Sequence, residues 1–213
     1  MNKPIMWVLV GLSGSGKSTI AAQIANENPN TIIVSSDAIR EELTGNYGDQ
    51  EHNEEVFKIF HNRIRKNLEN KKNVIADATN LTMKSRRAIM MKVNGLNVRK
   101  VCVIIPKPFE QCKEDNLHRE HPVPKFVLDK QIRKFQIPFK EEGFDEIIIR
   151  NLLNAHETND IQYENCKRLL SEEKNKTLDE VLKACDIECG FYSGDVKNLT
   201  RHVLMRVLDR LRE

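Results

Sequence analysis

Four stretches of this sequence carry residues whose types and spacing suit phosphate chemistry. Gly11-Leu12-Ser13-Gly14-Ser15-Gly16-Lys17-Ser18 fills every position of G-x-x-x-x-G-K-[ST], with Thr19 next in line. Glycines at such spacing let consecutive backbone N–H groups turn inward around a polyphosphate. Lys17 then supplies a mobile cation to the β- and γ-phosphates, and the Ser18 hydroxyl is suited to Mg²⁺. A helix starting near Lys17 would direct its positive dipole end at the same anion. The apolar run Trp7-Val8-Leu9-Val10 immediately before the motif supplies the strand such a loop needs. ATP with Mg²⁺ is therefore the expected ligand, bound by Gly11, Ser13, Gly14, Ser15, Gly16, Lys17, Ser18 and Thr19.

The second stretch is Ser35-Ser36-Asp37-Ala38-Ile39-Arg40. Asp37 and Arg40, three residues apart at a helix start, share one helix face. The carboxylate suits a general base that takes a proton from an attacking hydroxyl, and the guanidinium suits a phosphate of the acceptor. The plain alternative is that Asp37 caps the helix. The third stretch, Val74-Ile75-Ala76-Asp77-Ala78-Thr79-Asn80-Leu81, ends an apolar run on an acid. Asp77 there holds Mg²⁺, orients the substrate, or caps a helix beginning near Thr82. Further on, Asn116-Leu117-His118-Arg119-Glu120-His121-Pro122-Val123-Pro124 reads as a loop between helices, because two prolines and mixed charges interrupt the pattern. Arg119 in such a lid can act as an internal arginine finger on the transferring γ-phosphoryl group.

These groups need a scaffold, and the apolar pattern describes one. Strand-like runs at Ile5 to Val10, Thr31 to Val34, Asn73 to Ala76, Val98 to Ile105 and Glu146 to Ile149 alternate with helical spacing. That alternation predicts an α/β fold: a kinase-type parallel sheet flanked by helices, with the phosphate loop after the first strand. Ligands in such sheets bind at the carboxyl ends of the strands, where Asp37, Asp77 and Pro106 fall. One domain is expected over residues 1–150. After Arg150 the strand pattern stops, and Gln162 to Glu172, Leu178 to Cys185 and Asn198 to Arg212 have helical spacing. Residues 151–213 are thus expected to form a small helical lobe. The stripe Val203, Leu204, Val207, Leu208 and Leu211 offers an apolar face to a second copy or a partner domain.

Composition narrows the classes. The chain has 213 residues, 31% of them charged, and a formal net charge of only +3, so it is no polycation. Any nucleic-acid contact must come from local basic clusters, such as Arg63 to Lys66, Lys84 to Arg87 and Lys125 to Lys134, and each is equally compatible with a solvated helix face. No apolar run approaches the ~20 residues of a membrane span, so no membrane partner is expected and the protein reads as cytoplasmic. Five scattered cysteines, with Cys185-x-x-x-Cys189 the only close pair, read as reduced thiols rather than a zinc site.

Taken together, the phosphate loop, Ser36-Asp37-Ala38-Ile39-Arg40, Asp77-Ala78-Thr79-Asn80-Leu81 with Arg86-Arg87, and Asn116-Leu117-His118-Arg119 with Val123-Pro124 resemble the polynucleotide 5′-hydroxyl kinase family of phage and bacterial nucleic-acid repair. The resemblance spans about Lys3 to Arg150, with Ala78 inserted between the acid and Thr79-Asn80. It implies ATP-dependent phosphorylation of a 5′-hydroxyl of RNA or DNA. It further implies Lys17, Asp37 and Arg119 as catalytic residues, Arg119 also on the ATP phosphates, Ser18 and Asp77 at Mg²⁺, and Asp37, Arg40, Asp77, Asn80 and Arg87 toward the nucleic-acid substrate. Three other readings use the same residues: a small-molecule or nucleoside kinase, since Asp37 serves any alcohol; a P-loop ATPase acting as a regulatory or nucleic-acid-binding switch; and a kinase acting on a protein or sugar. The phosphatase, nucleotidyl-transfer and phosphohydrolase motifs often fused to the family are not found in residues 151–213, so kinase chemistry alone is expected.

Overall fold

The computed structural model describes residues 3–49, 51–105, 107 and 109–150. Its central strand β1 (Ile5–Val10) has no polar residue, which suits a strand covered on both faces. Successive side chains alternate between those faces. Met6, Val8 and Val10 turn toward Phe60, Ile64 and Leu68 of α3 (Asn53–Glu69) and Ile89 of α4 (Met83–Lys92). Trp7 and Leu9 turn the other way, onto Ile20, Ala21 and Ile24 of α1 (Lys17–Glu27).

The remaining elements are β2 (Thr31–Ser35), α2 (Ser36–Thr44), β3 (Asn73–Asp77), β4 (Arg99–Ile104), α5 (Phe109–Leu117), α6 (Lys125–Lys134), a 3₁₀ turn at Lys140–Glu142 and β5 (Glu146–Ile149). All strand pairs are parallel, in the order β2-β3-β1-β4-β5. The chain fills one side of β1 with β2 and β3 before crossing to β4 on the other. The reversal places a crevice at the carboxyl end of β1, where the glycine-rich loop departs. The fold is the expected α/β sheet of P-loop kinase type. Strand β3 runs one residue further than its apolar pattern, because Asp77 still pairs with Ser35 of β2.

One feature of the scaffold departs from the sequence reading. Arg86, read within a basic run, is fully buried, and its Nε and Nη2 donate to Glu142 Oε2 and Oε1, both at 2.8 Å. Its Nη1 donates to the Asn80 carbonyl at 3.0 Å. The pair ties α4 and the end of β3 to the 3₁₀ turn, while neighbouring Lys84 and Arg87 stay exposed. The expected helical lobe of residues 151–213, its cysteines and Pro106 lie outside the described residues. Among the described residues, no helix is long and apolar enough to cross a membrane.

Candidate active site at the carboxyl ends of the strands

The loop from Gly11 to Gly16 is fastened to its neighbours on both sides. Gly11 N–H donates to the Thr79 carbonyl at 3.2 Å beyond β3, and Ile105 N–H donates to the Val10 carbonyl at 2.9 Å beyond β4. Gly14 adopts φ +81°, and a Cβ there would lie 2.2 Å from the Cys112 carbonyl oxygen of α5. Only glycine allows both the turn and this approach. Helix α1 starts after Gly16 with no side-chain cap, leaving its first-turn N–H groups available to an anion. Ser13 and Ser15 are buried within the loop, whereas Ser18 and Thr19 are exposed on the first turn of α1.

Lys17 folds back over the loop, its Nζ donating to the Leu12 carbonyl at 2.7 Å. Burial lowers its pKa, and the charges of Asp77 and then Asp37 oppose that shift. Asp77 shows the complementary behaviour: burial raises its pKa, while Lys17 and the Ser18 hydrogen bond pull it down. Ser18 Oγ donates to Asp77 Oδ2 at 3.2 Å, so a hydroxyl and a carboxylate converge beside the loop. This donor set fits Mg²⁺, which prefers one or two protein oxygens completed by phosphate oxygens and water. No cluster of three or more metal-ligating acids, histidines or cysteines occurs among the described residues.

The capping alternatives are excluded for both acids. Ser35 caps α2, its side chain accepting from Ala38 N–H at 3.3 Å, and Thr82 caps α4, accepting from Ser85 N–H at 3.1 Å. Asp37 is left with a side chain 51% exposed. Arg40 Nη1 donates to Asp37 Oδ1 at 2.9 Å, and Arg40 Nη2 donates to Asn53 Oδ1 at 3.0 Å. The Arg40 side chain is itself buried, its guanidinium turned to Asp37 and Asn53 where an acceptor phosphate was the expected partner. Across the crevice, Arg119 Nη2 lies 3.8 Å from Asp37 Oδ2, an ion-pair distance longer than a hydrogen bond. The structure thus brings Lys17, Ser18, Asp37, Arg40, Asp77 and Arg119 into one neighbourhood.

Two expected substrate residues fall elsewhere. Asn80, at φ +46°, is buried, and its Nδ2 donates to the Leu9 carbonyl at 2.8 Å. It is a strut between β1 and β3, and the expectation that it contacts an acceptor is corrected: an amide enclosed among backbone carbonyls has no route to one. Arg87 is exposed on α4, and no hydrogen bond or ion pair among the described residues joins it to the group around Asp37.

Two residues of the site were given no role by the sequence. Gln131 on α6 accepts from Ser13 N–H and donates from Nε2 to Ser13 Oγ, both at 2.9 Å, linking α6 to the phosphate loop. Asn116 clasps the loop after α5: its Nδ2 donates to the Val123 carbonyl at 2.8 Å and its Oδ1 accepts from Val123 N–H at 3.0 Å. The one available signal was a polar residue on an inward face, since Gln131 lies between Leu128 and Ile132, which pack inward. The outward face of α6 differs sharply. Phe126 is 60% exposed with Lys130 Nζ 5.3 Å from its ring centroid. Lys125, Lys130, Arg133 and Lys134 are exposed there, with no ion pair among the described residues.

A model of the AAA domain family matches residues 6–138, from β1 through α6 and just beyond. The chain belongs to this family. The chain is 28% identical over 207 residues to an L-seryl-tRNA(Sec) kinase of Methanococcus maripaludis, covering 92% of this chain and 78% of that protein. This AAA domain protein also resembles a chain of the Pnkp1/Rnl/Hen1 RNA repair complex, with a TM-score of 0.57 and 25% identity over 68% of this chain. The match spans about half of that chain, 47%. Chaetomium thermophilum Kti12 in complex with ADP-AlF3 has the same fold, with a TM-score of 0.59, 14% identity and coverage of 75% of this chain and 97% of that one. The AAA domain is accordingly a nucleotide-binding P-loop domain of kinase type.

Proposed function

We propose that this protein is an ATP-dependent phosphotransferase that phosphorylates a 5′-hydroxyl of RNA or DNA. The observation that carries the reading is the half-exposed Asp37 carboxylate, uncommitted to capping, standing between the phosphate-loop lysine and Arg119. Asp37 Oδ2 takes the proton from the acceptor hydroxyl as that oxygen attacks, and Arg40, bonded to Oδ1, fixes the carboxylate's rotamer. Lys17 and the amides of the phosphate loop hold the nucleotide. Arg119 swings from Asp37 toward the transferring group and meets its charge there. Ser18 and Asp77 would hold Mg²⁺, which would supply further neutralisation of phosphate charge.

A polymeric acceptor is supported by the outward face of α6, where four exposed cations and an exposed phenylalanine suit a phosphodiester backbone with unstacked bases. The 25% identity to a chain of an RNA repair complex agrees with it. A second reading keeps the RNA and moves the hydroxyl to a seryl group esterified to tRNA. It is favoured by a match to the L-seryl-tRNA(Sec) kinase that extends over 92% of this chain. Labelled ATP offered with 5′-hydroxyl RNA, 5′-hydroxyl DNA, seryl-tRNA, nucleosides and sugars tests both. Label on the 5′ end, stable to mild alkaline deacylation, is expected. Label released with the amino acid would establish the second reading, and label only on a nucleoside or sugar would overturn both.

A further inference from the structure

Beside the proposed hydroxyl site lies an aromatic pair to which nothing above gives a role. Tyr47, on the connection between α2 and α3, stacks on His121 of the loop after α5, with ring centroids 4.2 Å apart and planes inclined by 19°. Neither ring belongs to a hydrophobic core cluster, and the His121 side chain is 50% exposed. Core packing therefore does not account for the stack.

Both rings are anchored to the catalytic neighbourhood. His121 follows Arg119 by two residues, and the clasp of Asn116 on Val123 closes the loop that carries both. The Glu41 carboxylate, one helical turn beyond Asp37, raises the Tyr47 pKa, with a smaller effect in the same direction from Asp37. The Tyr47 loop is itself braced: Asn46 N–H donates to Thr44 Oγ1 at 3.2 Å, and Gly48 N–H donates to Asn46 Oδ1 at 2.9 Å. Glu41, Glu120 and Asp37 make the surroundings of the stack acidic. Acidic surroundings repel a phosphate and tolerate a neutral, flat group. Aromatic faces beside a hydroxyl-activating carboxylate suit a nucleobase, because every base offers a π face whatever its sequence.

We propose that Tyr47 and His121 form a stacking platform that binds the base of the terminal acceptor nucleotide beside Asp37. This inference rests on the nucleic-acid reading above and assigns that acceptor a site. It is tested with the full chain, its Tyr47→Ala, Tyr47→Phe and His121→Ala variants, and two short 5′-hydroxyl oligonucleotides, one with a 5′-terminal base and one abasic there. Equilibrium binding by fluorescence anisotropy and transfer from labelled ATP are measured on the same samples. Tyr47→Ala is expected to weaken binding and raise KM for the base-bearing oligonucleotide about 5- to 100-fold, the range set by single stacking contacts. Its kcat and its KM for ATP should stay within a few-fold of wild type. Tyr47→Phe should retain the wild-type KM, and His121→Ala should shift it in the direction of Tyr47→Ala. The abasic oligonucleotide should bind weakly to every form, with no further loss in Tyr47→Ala.

Equal losses on both oligonucleotides, or failure of phenylalanine to rescue, would overturn the platform and make the pair a loop fastener. Base-selective, Tyr47-dependent binding without transfer would sink the kinase reading and keep the platform. Transfer without base selectivity would do the reverse.

Discussion

In the proposed reaction Asp37, Lys17 and Arg119 carry the chemistry, and their surroundings separate their roles. Asp37→Asn keeps the hydrogen bond from Arg40 but loses the proton acceptor, so kcat should fall ~10²–10⁴-fold with ATP affinity unchanged. Nucleotide titration beside single-turnover transfer checks this, and parallel losses in both would remove Asp37 from the proton-transfer role. Lys17→Ala should lower transfer to every acceptor by at least ~10²-fold, since a cation facing a transferring phosphoryl group acts where water is scarce. Arg119 contacts Asp37 only at 3.8 Å from a partly exposed loop. Arg119→Ala should therefore lower kcat strongly and shift stability by only about 0.5 kcal/mol, and Arg119→Lys should restore little, because a point charge does not reproduce a planar guanidinium. Steady-state kinetics with a melting curve decide it. A large drop in Tm with intact turnover would make Arg119 a structural ion-pair residue.

The elements are fastened together by buried polar contacts more than the surface charges imply. Arg86 and Glu142 join α4 to the 3₁₀ turn, with side-chain exposures of 0% and 3%. Arg86→Met leaves an uncompensated buried carboxylate and should cost about 3–5 kcal/mol. The double change Arg86→Met with Glu142→Leu should recover much of that loss, because the desolvated charge goes with its partner. Urea unfolding at constant m value reads both, and a double variant no more stable than the single one would show that the pair's role is steric. Helix α5, packed on Gly14, and α6, bonded through Gln131 to Ser13, meet the phosphate loop directly. These contacts tie the phosphate loop to the two helices that flank the segment bearing Arg119.

At the scale of the whole molecule, a net charge of +3 conceals a strongly one-sided helix. Lys130→Ala with Arg133→Ala should weaken oligonucleotide binding and flatten its salt dependence, by a slope of about 0.7 for each single-strand phosphate that the protein no longer neutralises. KM for a nucleoside acceptor should not move. Affinity measured across a salt series checks this, and an unchanged slope would return α6 to the status of a solvated face.

The local rules of chain geometry made much of this legible beforehand. The phosphate loop is contiguous, so its glycines, Lys17 and Ser18 declare themselves in eight residues, and the apolar alternation located five strands to within a residue or so. The parallel α/β sheet follows from that alternation, because each strand must cross over a helix to reach the next. Contacts between distant segments could not be read in this way. Arg86 and Arg87 are adjacent and chemically identical, yet one is buried against Glu142 and the other faces solvent, which depends on how α4 is rotated against the sheet. Asn80 belongs to a motif that implies substrate contact, but the turn after β3 directs its amide into the backbone of β1. Gln131 meets Ser13 across 118 positions, a pairing that depends on how α6 packs over the phosphate loop. Sequence determines the residues able to do chemistry and the elements that carry them. Tertiary packing decides which of those residues point at the crevice, because the orientation of each helix is set by the surfaces it must bury.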